Sequence, residues 1–136
     1  MGKYKNLQDD IFSVFGGASW EAENIKTYPS DFIAIDPGDE FIRVMIIPNG
    51  EGVNLLSVTG VVIIDIFTSA GKGPTRASLI ADKLDNYLVR QTLSTVSNSC
   101  TQFPLGSALA SEGRDKDNGA LYRSVYSIPF KYFGVS

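Results

Sequence analysis

Residues 55–68 (LLSVTGVVIIDIFT) narrow what this chain can fold into more than any other segment. Its β-branched residues favour a pleated strand, and strand side chains alternate between two faces. Val58, Val62, Ile64 and Ile66 fall on one face. Val61, Ile63 and Phe67 fall on the other, together with Asp65. A strand that is apolar on both faces is either central in a sheet or has a second face that meets another chain. Gly60 inside the run marks a bulge. The uninterrupted apolar stretch, residues 61–67, is far shorter than the roughly 20 residues a membrane helix needs.

The flanking segments supply the rest of a sheet. Residues 41–48 (FIRVMIIP) read as a strand closed by Pro48, and Asn49-Gly50-Glu51-Gly52 as the hairpin turn that follows it. Beyond residues 69–75, Ala77, Ile80, Ala81, Leu84, Tyr87 and Leu88 recur at helical spacing, and Pro74 suits a first helical turn. A shorter helix is expected over residues 7–15, with Leu7, Ile11, Val14 and Phe15 on its stripe, Asn6 as N-cap, and Asp9 and Asp10 near its first turn. Gly16-Gly17 ends it. The surroundings of Trp20 read as a short edge strand, and Tyr28-Pro29-Ser30 and Asp36-Pro37-Gly38 as turns. Residues 94–111 predict a weak strand and residues 112–119 a loop. Residues 121–133 predict a last strand marked by Tyr122, Tyr126, Ile128 and Phe130, with Pro129 placing it at an edge or a kink. These elements imply a single α+β domain, a mostly antiparallel sheet with one long and one short helix packed on one face.

Composition argues against most site chemistry. The chain of 136 residues is long enough to bury a core without a disulfide or a metal. It has one cysteine, which suits a reducing compartment, and no apolar leader follows Met1. It has no histidine, the commonest general base and metal ligand, so no catalytic, cofactor or metal residues are expected. The net charge of −3 and the scattered cations disfavour tight nucleic-acid binding. Gly71-Lys72-Gly73-Pro74-Thr75 invites comparison with a phosphate-binding loop. That motif, however, needs Ser or Thr directly after the lysine, and Pro74 removes a backbone donor, so the segment reads as the lead-in to a helix. Asp65 is either a buried acid or a residue on a partly exposed, interface-facing side of the sheet, and the second is favoured because no partner acid or base recurs near it. Asp9, Asp10, Asp36, Asp39 and Glu40 lack calcium-loop spacing and read as solvated charges. Cys100 has no histidine to activate it. Tyr122, Tyr126 and Phe130 share one face, whereas Tyr132 and Phe133 are the aromatic candidates for contact.

Three stretches carry a family resemblance: the Phe41-Ile42-Arg43-Val44 strand; the run Asp65-Ile66-Phe67-Thr68-Ser69-Ala70-Gly71-Lys72-Gly73 with its following helix; and the closing Tyr122-Arg123-Ser124-Val125-Tyr126-Ser127-Ile128-Pro129-Phe130-Lys131-Tyr132. Together with a short N-terminal helix and Trp20, this pattern resembles the bacteriophage tail terminator family from about Leu7 to Tyr132. The resemblance implies a structural virion protein without catalytic residues. It implies a typically six-fold homomeric ring, assembled in the host cytoplasm, at the head-proximal end of the tail tube. Such a ring stops tube growth, contacts the tube protein and the neck or head-completion protein, and lets DNA pass without sequence-specific binding; no membrane is involved. Alternatives are another neck or tail-completion protein and, from a different class, a small nucleotide-binding protein or carboxylate enzyme using residues 71–75. A head-to-tail ring joins two different patches. Expected contacts are Asn49, Gly50, Glu51, Gly52, Val53 and Asn54 at a hairpin tip, with Tyr132 and Phe133. An acidic balance suits a channel that DNA slides through, and Glu51, Glu112, Asp115 and Asp117, all expected on turns, are the candidate lining acids.

Overall fold

The computed structural model describes residues 2–29, 40–52, 54–69, 71, 73–95, 97–114 and 121–134. In chain order the elements are α1 (Lys3–Phe15), α2 (Ala18–Glu21), β1 (Thr27–Pro29), β2 (Phe41–Glu51), β3 (Val58–Ser69), α3 (Gly73–Leu88), β4 (Thr92–Leu93), β5 (Ser99–Gln102), β6 (Ala108–Arg114) and β7 (Leu121–Gly134). The fold is α+β. Every strand pairing is antiparallel except that of β1 with β2. The strand order is β1-β2-β3-β7-β5-β4, with β6 also on β7.

The centre of the sheet is the β3–β7 ladder, in register from Val58 opposite Tyr132 to Ser69 opposite Leu121. β7 is therefore a central strand, not an edge. On its other side it changes partner. Tyr122–Ser127 faces β6, and residues 131–134 face β5. Pro129 falls between the two, where neither β5 nor β6 is in register with it. That break explains how a proline is tolerated inside a fourteen-residue strand.

The helices cover one sheet face. Val44, Val58, Val62, Ile64, Ile66, Tyr126, Ile128 and Phe130 pack in one buried cluster with Leu7, Ile11 and Phe15 of α1, Trp20 of α2, and Ala77, Ile80, Leu84 and Leu88 of α3. Fully burying each large aliphatic or aromatic side chain contributes about 1.5–3 kcal/mol. Trp20 stands edge-on between Phe15 and Tyr87, and its indole N–H donates to Thr27 Oγ1 at 2.8 Å. The Trp20 segment is thus a short helix rather than the expected edge strand: Gly17 opens it, and Glu21 N bonds Gly17 O.

α1 also differs from expectation. It starts at Lys3 behind Gly2, with no side-chain cap, and Asn6 lies within it. Asp9 pairs with Lys5 one turn earlier. Asp10 is not a solvated charge but is fully buried. Its Oδ1 accepts from Thr95 N at 2.9 Å and Thr95 Oγ1 at 2.8 Å, and its Oδ2 accepts from Thr101 Oγ1 at 2.8 Å. A carboxylate so supplied with donors can stay buried. It pins α1 to the β4–β5 hairpin.

Two further expectations change. The predicted weak strand over residues 94–111 resolves into β5 and β6, with β4 just before it. β6 continues to Arg114 across a bulge between Ser111 and Gly113, where Gly113 has φ +82°. Asn49-Gly50 is not a hairpin turn. β2 runs on to Glu51, with a register shift between Pro48 and Gly50, and the chain reverses only over residues 52–57. The bulge anticipated at Gly60 therefore lies opposite it, on β2. Gly60 itself is required for another reason: a Cβ there would collide with Ile47 O and sit 2.7 Å from Cζ of Phe130.

Asp10→Ala strands three donors, and unfolding in urea should show a loss of about 3 kcal/mol, with Asp10→Asn retaining part of it. Gly60→Ala, overpacking the β2–β3–β7 junction, should lose about 1–3 kcal/mol in the same titration.

Candidate functional site

The alternation that sends Val62, Ile64 and Ile66 under the helices sends their neighbours to the other side of the sheet, which no helix covers among the described residues. The register lays out that face. Met45 lies opposite Ile63 and Ile47 opposite Val61. Ile63 in turn lies opposite Ser127, Val61 opposite Pro129, and Asp65 between Arg43 and Val125. Met45 is exposed, and Ile47, Val61, Ile63, Val125 and Pro129 are half-exposed. At one end the face is closed by a small aromatic cluster. Phe41 stacks on Phe67 with centroids 4.6 Å apart, and Leu121 and Tyr28 pack beside them. Arg43 lies over the Phe67 ring, and Arg123 Nη2 donates to Asp65 Oδ1 at 2.9 Å. Asp65 is thus buried and ion-paired on the helix-free side of the sheet, not the partly exposed, partnerless residue expected, because the register sets Arg123 of β7 beside it.

The second feature is the turn over residues 52–57. Asn54 Oδ1 accepts from Leu56 N at 2.8 Å and Ser57 Oγ at 3.0 Å, and its Nδ2 donates to Gly134 O at 3.2 Å. Gly134 N donates to Ser57 Oγ, and Lys3 Nζ to Leu55 O. The turn is held to the end of β7 and the start of α1, yet it presents Leu55 at 73% and Leu56 at 39% exposure. An apolar tip held in one conformation loses little entropy when it is covered. A groove of about 240 Å³ runs nearby between α1 and β2, lined by Tyr4, Leu7, Phe12, Val44, Ile46 and Pro48.

Of the expected contact residues, Asn54 belongs to this tip and Gly52 leads into it. Asn49, Gly50 and Glu51 are strand residues of β2, and Val53 lies outside the described residues. Tyr132 is not a contact residue: at 2% exposure it shares the helix-covered face with Phe130 and Ile128. Strand parity carried that signal, since 132 falls in step with 126, 128 and 130. Phe133, on the opposite parity, is half-exposed beside Cys100. Glu51 and Glu112 lie in β2 and β6 rather than on turns, and Asp115 and Asp117 are outside the described residues. Leu55 and Leu56, which the sequence pattern places at the start of the long strand, instead stand exposed at this tip, and β3 begins at Val58.

The remaining chemistry is accounted for locally. α3 begins at Gly73 with Pro74 in its first turn, and Lys72 is outside the described residues. Arg76, the next cation, forms a two-pronged pair with Glu40 at 2.6 and 2.9 Å, which raises its pKa. Burial, and then the nearby Asp10, push the Cys100 thiol up, so it stays protonated at neutral pH. The phenol of Tyr126 is also pushed up, by burial and by its hydrogen bond to Asp85, which ties β7 to α3. Among the described residues no helix is long and apolar enough to cross a membrane.

No protein-family model and no curated protein matches the chain. A solved structure is similar over 95% of this chain and 97% of its own, with a TM-score of 0.69 and 15% identity. At that identity the likeness shows the fold alone.

Asn54→Ala should release the tip. Amide hydrogen exchange at Leu56 and Gly134 should accelerate at least tenfold, with a global stability loss of about 1–2 kcal/mol.

Proposed function

We propose that this chain is a structural subunit that assembles with copies of itself into a ring, and that the ring caps the head-proximal end of a phage tail tube. One observation carries this: the sheet is apolar on both faces, and among the described residues helices cover only one. Met45, Ile47, Val61, Ile63, Val125 and Pro129 form a contiguous uncovered surface across β2, β3 and β7. Such a surface marks a protein–protein contact rather than a free-standing domain. The exposed, hydrogen-bonded Leu55–Leu56 tip is a second apolar contact point at the end of the same sheet. Two unlike patches on one chain are what a head-to-tail ring uses. The tail-tube assignment rests on the sequence resemblance, and the net charge of −3 agrees with a passage that does not hold DNA. In this reading the partners are further copies of the chain, the tube protein and a neck or head-completion protein.

Native mass spectrometry across a concentration series tests it. The expected result is a closed ring, six copies in the first instance, without bound small molecules. A monomer or dimer carrying stoichiometric nucleotide or metal overturns it. So does a chain that neither closes at any concentration nor binds the ends of purified tail tubes.

A further inference from the structure

The sheet leaves two strand edges unpaired among the described residues, and they lie on opposite sides of the molecule. β6 bonds β7 along one side and meets no strand on its other side. β2 is paired on its outer side by β1 only through Val44, so among the described residues Met45 and those after it have an open outer edge. Free edges expose rows of unmet N–H and C=O groups, which natural sheets protect with charge, proline or a bulge. Here protection is only partial. Residues 108–111 of β6 (ALAS) carry no charge and no proline, are exposed apart from their pairing with β7, and include Leu109 at 41% exposure; the bulge comes only after Ser111. On β2, Met45, Ile46 and Ile47 are likewise uncharged, and Pro48 and the bulge come only after them.

We infer that copies of this chain join by strand addition, the β6 edge of one copy pairing with the β2 edge of the next. The direction follows from the topology. β2 is antiparallel to β3, β3 to β7 and β7 to β6, so β6 runs opposite to β2 within one chain. By register β6 is level with residues 42–45 of β2, so the ring axis must be tilted from the strands, which keeps their direction while offsetting adjoining copies along them and brings β6 to the open edge beyond Met45. The β6 of one copy therefore meets the β2 of its neighbour antiparallel, the stronger and commoner pairing. Because the two edges are different and opposite, the contact is heterologous, and it forms the proposed ring when the rotation between copies closes. Backbone hydrogen bonds supply the attachment, and the small side chains of Ala108 and Ala110 permit close approach. By register, Ala108 and Ala110 lie opposite Ser127 and Val125, on the same helix-free face as Met45 and Ile47. Pairing thus makes the apolar face continuous from copy to copy.

This pairing rests on the ring proposed above, and the test separates the two. In a Cys100→Ser background, single cysteines are placed at Ala108 or Ala110 on β6 and at Met45 or Ile47 on β2. Each protein is oxidised alone and in β6–β2 mixtures. Disulfides require Cβ atoms about 3.5–4.5 Å apart. The expected result is no dimer from any single variant, a cross-linked dimer from at least one mixture, and a covalent ladder from the matching double variant. A ring in native mass spectrometry with no cross-link in any mixture overturns the edge pairing and leaves the ring standing. Self-cross-linking of Ala110→Cys shows a two-fold β6–β6 contact and also overturns it. A chain that never assembles overturns both. Proline provides a second measurement. Neighbouring strand residues point their N–H groups to opposite sides, so one of Leu109→Pro and Ala110→Pro removes a donor from the free edge only. That variant should keep the parent melting temperature within a few degrees and lose the ring; two folded proline variants that both still close overturn the pairing.

Discussion

The ladder between β3 and β7 determines most of what surrounds it. Twelve consecutive residue pairs run from Val58–Tyr132 to Ser69–Leu121. Because side chains alternate strictly along a strand, that one register decides which residues lie under the helices and which lie on the open face. A slip of one residue would turn Tyr126, Ile128, Phe130 and Tyr132 outwards. Gly60 helps to hold the register. Phe130 sits against its Cα, in space any other residue would fill. Opposite, β2 takes up an extra residue between Pro48 and Gly50, so the three strands stay paired around this tight point.

The split of β7 at Pro129 divides the molecule's labour. The first half of the strand, with β6, lies beneath α3, and the Tyr126–Asp85 hydrogen bond fastens that side. The second half, with β5 and β4, adjoins α1, and Asp10 fastens that side. The buried acid does more than offset its own desolvation. It bonds both a backbone N–H and two hydroxyls, so it fixes the position of the β4–β5 hairpin as well as its presence. Among the described residues no helix covers the second apolar face, because α1, α2 and α3 are all committed to the opposite one.

Local patterns in the sequence revealed local structure. The α3 stripe of Ala77, Ile80, Ala81, Leu84 and Leu88 and the two-faced alternation of residues 58–67 are periodic enough to be read directly, and the second also pointed to the open face. Features set by partners distant in sequence were not legible. Asp10 looked solvated because its donors, Thr95 and Thr101, come 85 and 91 residues later. Asn49-Gly50 has a turn signature, but pairing of Gly50 with Thr59 and Glu51 with Val58 extended the strand past it. A four-residue helix is too short to show a period, so Trp20 suggested a strand. Tyr132 is a different case: its parity with Tyr126, Ile128 and Phe130 is visible in the sequence and places it on the helix-covered face. The free edges of β2 and β6 depend on strand order, which the sequence pattern does not contain.

The reach of Asp10 also bears on how the chain is made. During synthesis from the N-terminus, α1 emerges before the hairpin that satisfies its buried carboxylate, whose Thr95 and Thr101 come 85 and 91 residues after Asp10, and before β7. α1 is therefore made well before it can be seated, and Leu7, Ile11 and Phe15 have no complete site until those later strands are present. A nascent or truncated chain lacking the C-terminal strand would expose that stripe together with the unpaired edge of β3, and exposed apolar surface and open strand edges favour aggregation during folding.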